Sequence, residues 1–324
     1  MDMFFASAIE FGVIFLFGCV GEILTEKSGH LNLGIPGIMC VGAAGGCFGA
    51  KLCLAAENPS GVLTVFVAIL FAMLFACALG GIYGVLTVSL RCNQNVTGLA
   101  CTIFGVGFTS FFLNNVVLKG DASAKLSRAG LRYFNAGIPG ADKLGWFGTV
   151  FLDHGILVYL AVVIAILAAL LLRYTKTGLN LRAVGEDPAA ADAVGIKVNA
   201  YKYAFVLIGA AVAGLGGLSY IMGYMNGIVD ATVDQTIQGI GWLSIALVIF
   251  TMWKPGLAIP GSILFGALYI LSTKIAGISF VQARLLELIP YAVTIVVLIV
   301  TSIAGRRETQ PPASLGLPYF REDR

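Results

Sequence analysis

Charge is what this sequence is short of. Lysine, arginine, aspartate and glutamate make up only 11% of its 324 residues, where an ordinary soluble domain carries about 25%. So few charges cannot cover the water-facing surface of a 34.0 kDa globule. Histidine is nearly missing as well: His30 and His154 stand at the edges of apolar runs and form no ligand set. Seven cysteines (Cys19, Cys40, Cys47, Cys53, Cys77, Cys92, Cys101) make no C-x-x-C pair. They sit mostly inside apolar runs, where they read as small buried hydrophobes. No G-x-x-x-x-G-K-[ST], H-E-x-x-H or G-x-S-x-G run occurs, so no phosphate-cradling loop, zinc helix or nucleophile elbow is on view. We expect no catalytic residue and no bound metal in this chain. Soluble enzyme, nucleic-acid binder and disulfide-stapled secreted domain are excluded as readings of the whole.

What is abundant is apolar length. Hydrophobic residues reach 58% and mean hydropathy is +0.92. Nine apolar segments run at about 4–24, 34–50, 62–90, 96–117, 155–173, 200–224, 238–253, 257–275 and 287–304. Their length fits helices crossing about 30 Å of hydrocarbon, and they lack the alternation of barrel strands. The fold class is therefore all-α: a polytopic helical membrane protein with about nine (eight to ten) transmembrane helices. The segment 62–90 is longer than one crossing needs, which points to a break at Gly80-Gly81. Only Lys254, Pro255 and Gly256 part 238–253 from 257–275, a sign of short, tilted or broken helices. Small residues four apart (Gly45/Gly49, Gly80/Gly84, Ala210/Gly214, Ala213/Gly217) allow close helix approach where no hydrophobic force acts between helices.

The chain divides into a transmembrane domain, residues 1–304, and a short cytoplasmic tail, 305–324. Counting Lys and Arg near the helix ends places the C-terminus inside and the N-terminus outside. The start, MDMFF, has no basic residue before its apolar run, so the first segment is expected to stay as a helix. The loop 118–154 then lies outside. It is long enough for a small structure of its own, with a turn at Gly137, Pro139 and Gly140, and suits the docking of an external protein.

The interior of the spans shows no carboxylate near its middle, which disfavours a proton- or sodium-driven carrier. Uphill work would have to come from another polypeptide pulling on a cytoplasmic surface. The loop Thr177–Val198 offers one. Asp187 is a good N-cap, Pro188 suits the first helical position, alanines follow, and Gly195 suits the place just past the end. About seven helical residues are marginal alone and make sense when docked. We read a coupling helix over 188–194, seated in a groove of an ATPase subunit. Ala189, Ala190, Ala193 and Val194 are its apolar contacts, and Arg182, Glu186 and Asp187 its polar flank; Gly185 and Asp187 are the positions whose substitution should uncouple it.

This loop, RAVGEDPAAADAVGI, resembles the R-A-V-G-x-[ND]-P-x-A-A-x-x-x-G-I motif of inner-membrane permease subunits of ABC importers. The branch is the one serving branched-chain amino acids, simple sugars and nucleosides. SGHLNLGIPGIM, leading into the second segment, is similar to that branch's S-G-x-x-N-[LI]-G-x-[EP]-G-x-M. NQNVTGLA, opening the fourth, is similar to its N-[QE]-x-[VI]-x-G-L-A. The likeness covers about residues 10–304, and the S-G-x-x-N-x-G form resembles nucleoside permeases that work with basic-membrane-protein-type lipoproteins. Many relatives carry Glu where this chain has Pro36, so no role resting on that charge transfers.

The resemblance implies a type II importer-like bundle in the cell membrane. It also implies an ABC ATPase subunit that binds ATP and Mg, a second permease in a homo- or heterodimer, and an extracellular substrate-binding lipoprotein. The chain itself would hold no cofactor and would touch the lipid bilayer and no nucleic acid. A neutral nucleoside needs hydrogen-bonding groups without fixed charge along its path. The candidates are Asn32, Asn93, Asn95, Thr97, Thr102, Asn114 and Asn115. Alternatives are a permease for simple sugars or branched-chain amino acids and, from another class, a secondary carrier or a passive channel.

Overall fold

The computed structural model describes residues 2–54, 60–119, 121, 123–126, 128–275, 279–286, 288–304 and 310–320. A chain immersed in hydrocarbon must satisfy its backbone hydrogen bonds internally, and a helix does this within one segment. All nine apolar segments fold that way. They are α1 (Asp2–Glu26), α2 (Ile35–Leu54), α3 (Gly61–Gly84), α4 (Gln94–Leu113), α7 (Ile156–Tyr174), α10 (Val198–Leu218), α11 (Val233–Phe250), α12 (Pro255–Lys274) and α14 (Ile289–Ala304). Between them lie shorter helices: α5 (Arg128–Phe134), α6 (Gly145–Phe151), α8 (Lys176–Glu186), α9 (Pro188–Ala193) and α13 (Phe280–Leu286). Among the described residues, seven helices are long and apolar enough to cross a bilayer, and two further apolar stretches, Pro255–Leu271 and Ile289–Val300, are shorter.

The expected break at Gly80-Gly81 is absent, and α3 runs unbroken to Gly84. Those glycines serve contact instead. Gly80 lies against Ala210, and Gly84 against Tyr203 and Val206, all on α10. The helix then widens into i→i+5 turns over Val85–Ser89, with Leu90 N–H bonded to the Val85 carbonyl at 3.0 Å. α4 and α10 finish likewise, over Asn114–Leu118 and Ser219–Tyr224. Each wide turn is followed within two residues by a left-handed residue that is not glycine: Arg91, Lys119 and Asn226.

α1, α2 and α10 form the buried centre. α1 packs against α10, α11 and α12; α2 packs against α3, α4, α10 and α11. At the α2–α4 crossing, a Cβ on Gly37 would meet the Cys101 carbonyl and the Thr102 backbone, and one on Gly105 would meet Gly37. The two helices touch backbone to backbone. Around the centre, α3, α4 and α7 turn Phe66, Leu70, Ile103, Phe111 and Leu167 outward, as lipid-facing surfaces do.

The two ends of the bundle differ. One carries residues 118–154, folded into α5, α6 and a strand β1 (Ser123–Lys125), which pairs antiparallel with β2 (Ile228–Asp230). Gly140 takes φ +91° in the expected turn. Buried His154 is pinned there, its Nδ1 3.7 Å from the Glu10 carboxylate of α1 and its Nε2 2.8 Å from the Val150 carbonyl. The opposite end carries α8, α9 and the described tail.

Candidate coupling surface and substrate path

All three sequence motifs lie at that second end. The first is the α1–α2 connection, residues 27–34, an irregular stretch buried inside the protein. Backbone placed there must find partners, and side chains from three helices supply them. Glu22 of α1 accepts the Asn32 backbone N–H at 2.9 Å. Gln94 of α4 accepts the Leu31 N–H at 2.7 Å. Tyr83 of α3 donates to the Leu31 carbonyl at 2.8 Å, and Thr102 of α4 to the Leu33 carbonyl at 2.7 Å. Gly29 turns the chain at φ +85°, and the Asn32 side chain folds onto the Gly34 N–H at 3.0 Å.

Of the residues expected to line a substrate path, only Asn32 and Thr102 meet at this connection. Thr97 is buried one turn and a half earlier on α4. Asn93 is exposed and caps α4 by accepting the Val96 N–H at 3.1 Å. Asn95 is exposed too. Asn114 and Asn115 are exposed in the wide turn at the far end of α4, with Asn115 bonded to its own helix at Phe111.

The segment expected to couple is a pair of helices, α8 and α9, rather than one. Thr175 caps α8 by accepting the Gly178 N–H at 3.0 Å. Asp187 then caps α9, its carboxylate accepting the Ala190 N–H at 2.9 Å, with Pro188 in the first turn. Gly195 ends the unit at φ +87°. α9 sets Ala191 inward, where it joins Val184 and Val198 in a small core separate from that of the bundle. Ala189, Ala190, Ala193 and Val194 face outward, and Val194 is 77% exposed. Arg182, Glu186 and Asp187 are exposed beside them, and Gly185 is buried. A side chain at Gly185 would strike the Lys27 carbonyl and Pro312. Beside α9 lies a polar cavity of about 400 Å³, lined by Asp192, Lys197, Asn199 and Tyr319 among others.

Several residues holding this end together escaped the sequence reading. Glu22 and Glu26, one turn apart on α1, are both buried. Glu26 accepts the indole N–H of Trp253, at the junction of α11 and α12. Met252 and Trp253 both take left-handed backbone, φ +52° and +55°, which bulky residues adopt only when their surroundings force it. The signal was present, since Glu22 lies inside the first apolar segment and an ionisable residue there stands for a partner. Burial, reinforced by the charge of Lys202, pushes the His30 imidazole down to about 3, so the ring stays neutral. Burial also lowers Lys27, against the opposing pull of Glu186 and Glu26.

The chain is similar to known proteins over most of its length. Residues 4–298 match the family model described as "Branched-chain amino acid transport system / permease component". The chain is 31% identical, over 92% of each chain, to the nucleoside ABC transporter permease protein NupC of Lactococcus lactis subsp. cremoris. It is 29% identical to the guanosine ABC transporter permease protein NupQ of Bacillus subtilis, over 94% of this chain and 92% of that one. A putative glucose ABC transporter permease protein of Haloferax volcanii is 30% identical, over 84% of this chain and 78% of its own. With a model match spanning nearly every helix and relatives aligned end to end, this chain belongs to the membrane-embedded permease components of the branched-chain amino acid transport system family.

Proposed function

We propose that this chain is the membrane-spanning subunit of an ATP-binding cassette importer that brings nucleosides across the cytoplasmic membrane. ATP and Mg are bound and used by a separate ATPase subunit, a second permease completes the bundle, and an external lipoprotein delivers the substrate. The reading rests chiefly on α9: a six-residue helix capped at Asp187, anchored inward by Ala191, with an apolar face left uncovered. So short a helix gains nothing from propensity. An uncovered face on a fixed base is what a partner needs in order to push. In this reading α8 and α9 lie inside, in line with the basic residues around them, and residues 118–154 lie outside. The neutral groups at the α1–α2 connection, Asn32 and Thr102, suit a polar uncharged cargo, while Asn93 serves its helix first.

Nucleoside is preferred to sugar because the relatives aligned over more than nine tenths of both chains are named for nucleosides and guanosine. The test is reconstitution of this permease with its ATPase, second permease and binding protein in vesicles. Labelled guanosine should accumulate only with ATP, and excess glucose should leave uptake unchanged. Substituting Val194→Asp should leave the permease folded but prevent recovery of the ATPase with it. Uptake that ignores ATP and collapses with an uncoupler would overturn the reading in favour of a secondary carrier.

A further inference from the structure

The tail does not trail into solvent. Residues 311–320 fold back across the end of the bundle and touch all three motif segments in turn. At the first, the Gly316 N–H donates to the Gly29 carbonyl at 3.2 Å. At the second, Gln94 reaches the Leu317 carbonyl at 3.5 Å, and the Arg91 guanidinium lies 4.7 Å from the centre of the Phe320 ring. The third receives the most. Ser314 donates to the Gly185 carbonyl twice, from its N–H at 3.0 Å and its hydroxyl at 2.6 Å. That carbonyl lies in the last turn of α8, where no later helical N–H is available to it. Tyr319 donates its hydroxyl to the Asp192 carboxylate of α9 at 2.9 Å. Its ring packs on the small core of Val184, Ala191 and Val198, with the Lys202 ammonium 5.8 Å from the ring centre.

Chemistry separates these contacts from incidental packing. Ser314 and Pro312 are buried although the segment lies at the surface. The contacts are directional hydrogen bonds to backbone carbonyls and one carboxylate, so they define a position rather than merely adhere. Beneath α9 the small core consists of Val184, Ala191 and Val198, while α8 reaches the bundle directly, through buried Leu181 and through Gly185 against the Lys27 carbonyl. The tail bonds α9 at Asp192 and the same segment bonds Gly29 and Gln94, so it ties α9 to the α1–α2 connection and to the start of α4.

We propose that residues 311–320 form a strap that transmits displacement of α9 to α1, α2 and α4, with Ser314 and Tyr319 as its positioning residues. The proposal rests on the function given above, and its test is built so that the two can fail separately. The complete complex is reconstituted in vesicles with three permeases: the full chain, a chain ending after residue 310, and Tyr319→Phe. Guanosine uptake and ATP hydrolysis are measured together, with the amount of assembled complex. The shortened chain should assemble and hydrolyse ATP while uptake per ATP falls at least tenfold. Tyr319→Phe should lower that ratio about fivefold, the worth of one hydrogen bond. Combining it with Asp192→Ala should cost no more than Asp192→Ala alone, because both remove the same bond. An unchanged ratio in the shortened chain would overturn the strap, as would losses of uptake and hydrolysis that merely follow lost assembly. Absence of ATP-dependent uptake in the full chain would instead count against the function. In that case hydrogen exchange on the purified permease still decides: α9 amides should exchange about fivefold faster in Tyr319→Phe, and equal rates would overturn the strap.

Discussion

The bundle interior and the α8–α9 unit are built on opposite terms. In the bundle, helices meet through glycine and alanine at backbone distance, as at Gly37 with Gly105, and around aromatic clusters such as Phe11, Phe15, Phe265 and Tyr269. Its cohesion comes from filled volume. The α8–α9 unit rests on Leu181, Val184 and Ala191, and is held by caps, a buried glycine and the tail. Its cohesion comes from placed hydrogen bonds. The contrast matches a division of labour in which one part keeps shape in lipid and the other changes position on demand. Added volume should therefore break the first, and lost polar contacts the second.

The largest effect should follow Gly37→Leu, which drives four carbons into the α4 backbone. We expect a loss of about 3 kcal/mol or no folded protein, read as the melting temperature in detergent. Full stability in this variant would mean that the bundle does not depend on close packing. Next comes Glu22→Ala, which leaves the buried Asn32 N–H without an acceptor at a cost of about 2 kcal/mol. Glu22→Gln keeps an acceptor and should restore most of the stability. This pair sharpens the comparison, because Glu22 belongs to the bundle yet acts by hydrogen bonding.

Acid gives a third, somewhat smaller effect. His30 titrates near 6.5 when unfolded and at about 3 when buried, so its depressed value favours the folded state above 6.5. That advantage is lost as pH falls from 6.5 toward 3. Between about pH 6.5 and 5 the loss amounts to about 1.5 kcal/mol. The melting temperature should drop over that interval, and His30→Gln should flatten the drop. The smallest effect belongs to the α8–α9 unit: Asp187→Ala removes the α9 cap at about 1 kcal/mol. Faster hydrogen exchange should stay confined to α9, while Asp187→Asn stays near the parent. A melting temperature that moved as far as for Gly37→Leu would erase the distinction between the two regions.

What could be read from residues alone follows the range of the interactions. Nine apolar segments became nine helices because hydrophobic length is a local property. Asp187, Pro188 and Gly195 marked α9 because capping acts over three residues. α8 went unseen because Lys176–Glu186 is polar and holds Gly178 and Gly185, whose purpose is close approach to Leu171 and Lys27. Residues 305–324 read as a short cytoplasmic tail, yet residues 311–320 dock through Ser314 and Tyr319. No local pattern announces that Glu26 will meet Trp253, 227 residues later. Residue type groups the asparagines and position divides them: Asn32 lies in the interior, Asn93 at a cap, and Asn114 and Asn115 at a rim.

That last distance has a consequence for biogenesis. α1 leaves the ribosome long before α11 and α12 exist, yet Glu26, its last residue, meets the Trp253 indole only when those helices arrive. Until synthesis nears its close, then, Glu26 must find another partner in water, in the translocon or among the earlier helices. A contact that closes this end of the bundle is thus among the late ones to form.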